Sequence, residues 1–270
     1  MSETSISTDI RGPIGAVILD EARRRNPLSL STMTDLTAAL RSLAANPAVR
    51  VIVIEASGPA FSAGHDLSEM VDRTIADERI IFDACSELMA TIHQVRPPVI
   101  AQVQGMALAA GCQLVATCDL ALAADTARFS TPGVKIGLFC STPMVALTRA
   151  VGRKRAMHML MTGDMVDAGT AVDWGLINQA LPADRLAPTV TELACRIADA
   201  SADTLAIGKR AFYEQIDRSE PDAYQLMTET MAANAMTPDA QEGMSAFLGK
   251  RAPVWSTVSA ASSISGAGSH

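Results

Sequence analysis

Apolar positions along this chain follow two rhythms, and the switch between them predicts most of the elements. "GAVILD" (Gly15 to Asp20) and "RVIVIEA" (Arg50 to Ala56) are short β-branched runs bounded by turn formers, which predicts buried strands. Between them Met33, Leu36, Leu40 and Leu43 recur every three or four residues, which predicts a helix over 31–45. Strand, helix, strand implies a parallel pair joined by a right-handed crossover. "PPVIAQVQG" (Pro97 to Gly105) predicts a third strand, entered through a Pro pair and left through a Gly. "GCQLVATC" starts a helix straight after it, and "LALAAD" (Leu120 to Asp125) predicts a fourth strand. From Pro143 to Leu248 the rhythm is helical, with one strand-like interruption at "LINQAL" (Leu176 to Leu181) and helix starts at Asp167, Asp203 and Thr237. The expected organisation is an α/β core over 1–200, a helical region over 201–256, and a small, polar, disordered tail over 257–270.

Composition narrows this picture. A chain of 270 residues, 49% hydrophobic, 19% charged and 4% aromatic, can bury a full core and leaves apolar surface for self-association. A formal charge of −7, with basic residues only in short scattered groups, argues against a nucleic-acid partner, which needs clustered cations. "RRR" at Arg23 to Arg25, "GRKR" ending at Arg155 and "GKR" ending at Arg251 read as solvated faces or as holders of a phosphorylated small molecule. Five cysteines (Cys85, Cys112, Cys118, Cys140, Cys195), without a CxxC pair or histidines at ligand spacing, predict neither a disulfide framework nor a metal site. With no basic-then-apolar leader in "MSETSISTDI" and no apolar run of ~18 residues, the expectation is a cytoplasmic protein with no membrane partner.

Two stretches carry candidate chemistry. "PAFSAGHDLSEM" (Pro59 to Met70) follows the second strand, and its small, Gly-containing turn lets backbone amides approach a ligand at His65. "GMALAAGCQL" places Ala109, Ala110 and Gly111 where a strand passes into a helix N-terminus, whose free N–H groups carry the positive end of the helix dipole. Two such amides converging on one oxygen make an oxyanion hole, from which the loss of one donor costs about 10² to 10³ in rate. Taken singly, either stretch is an ordinary small-residue turn.

Together, in this order, they resemble the crotonase (enoyl-CoA hydratase/isomerase) superfamily. The resemblance runs from Ile14 to Trp255 and includes "RNPLS", "FSAGHDL", "PVIAQVQGMALAAGCQLVATCDLALAAD", "FSTPGVKIGLF", "GLINQAL" and "EGMSAFLGKR". It implies a crotonase-like ββα spiral with a helical C-terminal oligomerisation region, assembled as a homotrimer or dimer of trimers. It also implies an acyl-CoA or enoyl-CoA ligand of fatty acid metabolism, with coenzyme A as part of the substrate and no separate cofactor. The thioester oxygen would sit between the amides of His65 and Ala110, with Ala63 and Gly111 beside them. For the coenzyme end, the resemblance places Arg24 or Arg25 near the phosphates, Lys250 and Arg251 of a closing helix as further cations, and Asp66 and Leu67 as the backbone that cups the adenine. Cys140 and Ser141 fall in the loop that caps the acyl pocket.

The resemblance breaks at the chemistry. Hydratases of the family carry one glutamate two residues past the Gly of the second motif and another just after the Pro of "F-x-x-P"; here those places hold Gln113 and Gly133. An amide does not titrate near neutrality and glycine has no side chain, while each missing acid/base group is worth about 10² to 10⁴ in rate. Two readings follow: a hydratase-like enzyme whose frame is intact, or an acyl-CoA-binding protein with little turnover. If the frame is otherwise sound, Gln113→Glu with Gly133→Glu is expected to raise hydration. His65 is the best remaining titratable candidate, since imidazole ionises in the right range, the alternative being a side chain that points away from the site; Cys140 or Ser141 as nucleophile or polar contact is the alternative to a buried structural thiol. Asp66, Glu69 and Asp72 read as caps and solvent face, and His93 and His158 as packing residues. A serine hydrolase is set aside: Ser62, His65 and Asp66 crowd one turn, and no G-x-S-x-G elbow exists.

Overall fold

The computed structural model of the chain describes residues 5–256. These divide into two units, the first ending at Ala198 and the second beginning at Asp199. In the first, the chain runs β1 (Ile6–Arg11), β2 (Ile14–Leu19), β3 (Pro27–Leu28), α1 (Leu30–Ala45), β4 (Val51–Ala56), β5 (Ala60–Ser62), β6 (Gly64–His65), α2 (Ile75–Gln94), β7 (Val99–Val103), β8 (Met106–Leu108) and α3 (Ala110–Thr117). It continues through β9 (Leu120–Ala124), β10 (Arg128–Ser130), α4 (Ser141–Val151), α5 (Arg153–Thr162), β11 (Val166–Asp167), α6 (Ala168–Trp174), β12 (Gln179–Leu181) and α7 (Ala183–Ala198). The second unit holds α8 (Ala202–Gln215), α9 (Glu220–Ala235) and α10 (Pro238–Leu248).

Three successive turns repeat one unit. A long strand (β4, β7 or β9) is followed within a few residues by a short one (β5, β8 or β10) and then by a helix (α2, α3 or α4). The long strands join a six-stranded sheet of order β1-β2-β4-β7-β9-β12, parallel except for the β1–β2 hairpin. The short ones join a second sheet of order β11-β10-β8-β5, and β3 pairs with β6. This is the ββα spiral that the resemblance implies.

The large sheet is covered on both faces, which is why its strands read as continuous apolar runs. Ile52 and Ile54 of β4 sit in one core with Met33, Leu36 and Leu40 of α1, Leu88 and Ile92 of α2, and Leu114 of α3. Val51 and Val53 face the other way, into a smaller core with Ile100, Leu122 and Leu186, Val190 and Ala194 of α7. Each fully buried Leu, Ile or Met contributes roughly 1.5–3 kcal/mol of transfer free energy.

The helix starts anticipated at Asp167 and Thr237 are caps whose side chains accept from the N–H groups of Thr170 and Ala240. The start anticipated at Asp203 is corrected: Ser201 caps α8, accepting from Thr204 N–H, because its hydroxyl immediately precedes the first helical residue, and Asp203 lies in the first turn. A clasp closes the second unit. Arg251 grips Glu242 through both guanidinium arms, Trp255 Nε1–H donates to Asp199 O at 2.8 Å, and Ser256 donates to Asp239 Oδ1 at 2.6 Å. The expected disordered tail over 257–270 lies outside the described residues.

Candidate functional site

The site is built on a seam between two loops. Gly64 has φ 92°, and a Cβ added there would fall 2.9 Å from Leu108 O, 2.9 Å from Ala109 Cβ and 3.3 Å from Ala110 N. A Cβ at Gly111 would fall 2.7 Å from Ser62 O. The two motifs read from the sequence therefore meet backbone against backbone, and glycine is what allows the approach.

Ala109 turns the chain from β8 into α3 with φ 48° and ψ −116°, a left-handed region that alanine rarely adopts. Such a conformation costs on the order of 1–3 kcal/mol and persists where its surroundings hold it. Here Ala109 N–H donates to Ser130 O at 2.9 Å, and Ala109 O accepts from Gln113 N–H at 3.0 Å. The consequence is that Ala110 is the first residue of α3, where an N–H has no intrahelical acceptor and lies at the positive end of the dipole.

The other side of the seam is braced by a residue that the sequence reading quoted within "RNPLS" without giving it a role. Asn26 is buried; it accepts from Glu21 N–H at 2.8 Å and donates to Ser57 O at 2.9 Å and Ala60 O at 2.8 Å. Its neighbour Arg25 accepts from Ala63 N–H at 2.9 Å. Residues 25 and 26 both have positive φ, so this turn hands the chain to β3, which pairs Leu28 with His65 of β6.

A cavity of about 470 Å³ opens at the seam. Of the residues singled out in the sequence, Ala63, His65, Leu67, Ala110, Gly133, Cys140 and Ser141 line it; Phe82 from α2 and Ile136, Leu138 and Phe139 from the loop before α4 complete an apolar wall. Phe82 was not anticipated, because only the folded chain brings α2 to the two motifs; the loop was expected from the resemblance through Cys140 and Ser141, but not the part played by Ile136, Leu138 and Phe139. Gly111, Gln113, Arg24, Arg25 and Asp66 are not among the lining residues, and Lys250 belongs to the second unit.

His65 lies in the cavity wall. Its ring stands edge-on to Phe82, with centroids 5.4 Å apart at 89°. Nδ1 lies 3.4 Å from Leu28 O, and Nε2 is buried without a hydrogen-bond partner. Burial lowers its pKa from the ordinary 6.5, an effect that the Leu28 carbonyl partly opposes. With Nδ1–H facing that carbonyl, the neutral ring presents a lone pair at Nε2.

The two family glutamate positions diverge. Gln113 is buried on α3, its Oε1 3.7 Å from the Cys85 thiol that donates to it, away from the cavity lining. Gly133 does line the cavity, but a Cβ there would fall 2.0 Å from Leu138 O and 2.8 Å from Cys140 Sγ, and Leu138 N–H already donates to Gly133 O at 3.0 Å. The loop's own backbone occupies the place where a side chain at 133 would begin. Burial pushes the Cys140 thiol up and the Cys112 thiol up to about 12, which keeps both protonated and poor as nucleophiles.

The expected coenzyme-end cations stand as follows. Arg24 is engaged by Asp66 at 2.6 Å and Glu21 at 3.1 Å. Asp66 caps a short 3₁₀ turn, accepting from Ser68 N–H. Lys250 is not in the closing helix: α10 ends at Leu248, and Lys250 sits in the following turn with φ 52°. Glu69 caps α1, accepting from Leu30 N–H at 2.8 Å. Among the described residues, no His/Cys/Asp/Glu group could hold a metal ion, and no helix is long and apolar enough to cross a membrane.

A spiral of strand pairs and helices, whose successive turns bring a glycine loop and a helix N-terminus together over an apolar cavity, is the crotonase architecture. The chain belongs to the enoyl-CoA hydratase/isomerase family, which it matches over residues 9–258. It is 44% identical over 251 residues to the Enoyl-CoA hydratase domain-containing protein 3, mitochondrial, of Rattus norvegicus, covering 93% of this chain and 84% of that protein. It is 35% identical over 244 residues to the Probable enoyl-CoA hydratase echA8 of Mycobacterium bovis, covering 89% and 93%. Among solved structures, an enoyl-CoA hydratase of Mycobacterium smegmatis superposes with a TM-score of 0.91 at 42% identity, covering 94% of this chain and 99% of that one. Human enoyl Coenzyme A hydratase domain-containing protein 3 gives 0.91 at 42%, covering 93% and 100%.

Proposed function

We propose that this protein binds the coenzyme A thioester of an acyl or enoyl group, with the thioester oxygen held by the backbone amides of His65 and Ala110 and the acyl chain in the apolar cavity. The observation that carries this reading is the glycine-welded seam: it joins the two amide-bearing segments at the mouth of one cavity, and Ala109 holds a strained conformation to start α3 there. Two preorganised donors would hold an enolate oxygen without reorganisation. Coenzyme A enters as part of the substrate, with no separate cofactor. Arg25 and the backbone of Asp66 and Leu67 form the coenzyme side; Arg24 would have to exchange a carboxylate partner for a phosphate to join them.

Ordinary hydration is the weaker half of the family reading. Gln113 faces Cys85, and Leu138 covers Gly133, so no carboxylate pair is present to hold and deprotonate a water. This favours a thioester-binding protein in which hydration is slow. A helical second unit that exposes Phe212, Tyr224, Met231, Phe247 and Leu248 supports self-association, as a homotrimer or dimer of trimers. Cytoplasmic placement rests on composition and free cysteines alone; the rat relative carries "mitochondrial" in its name.

Crotonyl-CoA tests the reading in one titration, with binding followed by calorimetry and hydration by loss of the conjugated thioester absorbance. Saturable binding with turnover at least 10²-fold below that of a two-glutamate hydratase is the expected result. Absence of binding overturns the proposal, and turnover at full hydratase rates overturns the slow-hydration half.

A further inference from the structure

We propose that the acyl group taken by this cavity is an unbranched chain of about eight to twelve carbons that ends in a methyl group, and that Phe82, Ile136, Leu138 and Phe139 are the side chains that select it. The inference rests on the thioester reading above and names the substrate class within it.

Size is the first ground. At roughly 30 Å³ for a group as small as a water or a methylene, a cavity of about 470 Å³ has room for on the order of fifteen such groups. The thioester and the end of the coenzyme arm would occupy several of them. A butyryl chain would leave much of the remaining space empty, and wall atoms that face a void lose their dispersion contacts. A chain of about eight to twelve carbons fills it.

The character of the wall is the second. Among the described residues that line the cavity, five carry a polar side-chain atom: His65, Lys135, Cys140, Ser141 and Thr142. His65 Nε2 and Thr142 Oγ1 are buried and present essentially no surface to a ligand. Ser141 Oγ donates to Phe139 O at 3.3 Å, Lys135 lies in an ion pair with Asp164 at 3.8 Å, and burial keeps the Cys140 thiol neutral. Gly133 adds no side chain, and Gln113 is not in the lining. A hydroxyl or carboxylate at the end of the chain would exchange water for this wall, which is costly without a hydrogen bond in return. Finally, Leu67, Ile136, Leu138 and Phe139 line the cavity and are nonetheless exposed to solvent. One exposed apolar side chain is ordinary, whereas a group of them around one opening marks a binding surface. A chain of the proposed length has the carbons to cover them, and a butyryl chain has not.

The test is a calorimetric series on the full chain with the butyryl, hexanoyl, octanoyl, decanoyl, dodecanoyl and hexadecanoyl thioesters of coenzyme A, each below its micelle concentration. Affinity is expected to rise about two- to fourfold per added methylene as far as the decanoyl or dodecanoyl ester and to level off beyond it. The heat-capacity change of binding should grow more negative over the same range, as apolar burial requires. A decanoyl ester carrying a terminal carboxylate is expected to bind about thirtyfold more weakly than decanoyl-CoA. Phe139→Ser should lower decanoyl affinity about tenfold more than butyryl affinity, and Ile136→Ser, at the more exposed position, about threefold more. Equal affinity for butyryl-CoA and decanoyl-CoA, affinity still climbing at the hexadecanoyl ester, or a terminal carboxylate that tightens binding through Lys135 overturns the chain-length reading and leaves thioester binding standing. So does an unchanged length dependence in folded Phe139→Ser and Ile136→Ser proteins, which would place the chain elsewhere. Failure of every ester to bind overturns both.

Discussion

The seam at Gly64 and Ala110 and the loop from Gly133 to Ser141 face one cavity, yet they differ in how deeply they are packed. The seam is main chain packed on main chain: two glycines with no room for a Cβ, a strained Ala109, and Asn26 tying three backbone groups beneath. The loop is a 3₁₀ turn closed on itself at Gly133 by the Leu138 backbone, with its outer side chains Ile136 and Phe139 61% and 42% exposed. Main-chain packing tolerates almost no displacement, whereas an exposed loop can shift at modest cost. The difference teaches which half of the site the fold holds fixed: the two segments that meet at Gly64 and Ala110, and not the exposed loop across the cavity.

The comparison breaks most sharply at Gly64. Gly64→Ala drives a methyl into Leu108 O and the Ala110 amide at a φ that alanine resists, so stability should fall by about 3 kcal/mol and butyryl-CoA affinity at least 10²-fold, read by chemical denaturation and calorimetry. Equal affinity in that variant would show that the seam does not hold the ligand.

The loop should respond less. Gly133→Glu, alone or with Gln113→Glu, must displace Leu138 to fit; the expected outcome is a loss of about 1–3 kcal/mol with the seam intact and no rise in crotonyl-CoA hydration. A rise in hydration would mean that the loop opens freely and that the covered glycine is no barrier.

Ala109→Gly sharpens the contrast from the other direction. Glycine adopts φ 48° without the Cβ clash, so thermal unfolding should move upward by the equivalent of about 1 kcal/mol while thioester binding is retained.

The smallest effect is a pH dependence. His65 has a folded pKa below its ordinary 6.5 because burial disfavours the imidazolium, so the unfolded chain binds more protons as pH falls. The contribution of the neutral ring is therefore fully present above pH 6.5 and is lost as pH falls toward the depressed value. His65→Phe should flatten the stability profile in that interval and leave it unchanged at pH 8.

Much of the architecture was legible along the chain. β2, β4, β7 and β9 stand where the apolar runs end at turn formers, because strands buried on both faces advertise themselves without alternation. The short strands Met106–Leu108 and Arg128–Ser130 gave no such signal; three residues carry too little periodicity, and their pairing depends on neighbours far along the sequence. At the site, residues 64 to 66 were legible as a turn and 109 to 111 as a passage from strand to helix, because small residues at a strand exit mark where backbone can approach a ligand. The burial of Nε2, the turn of Gln113 toward Cys85 and the collapse of Leu138 onto Gly133 were not, since each is a meeting of atoms from separate elements.

The sequence by itself determined the order of strands and helices, the glycines that permit a tight crossing, and the absence of carboxylates at positions 113 and 133. Those are properties of residue type and spacing, which local sterics and burial read directly. Tertiary structure alone decided that the place of the second carboxylate is filled by the chain's own backbone and that one imidazole nitrogen, Nε2 of His65, is buried without a hydrogen-bond partner. Both depend on how helices and loops distant in sequence settle against one another, and long-range packing is encoded in the sum of the chain and in no single stretch of it.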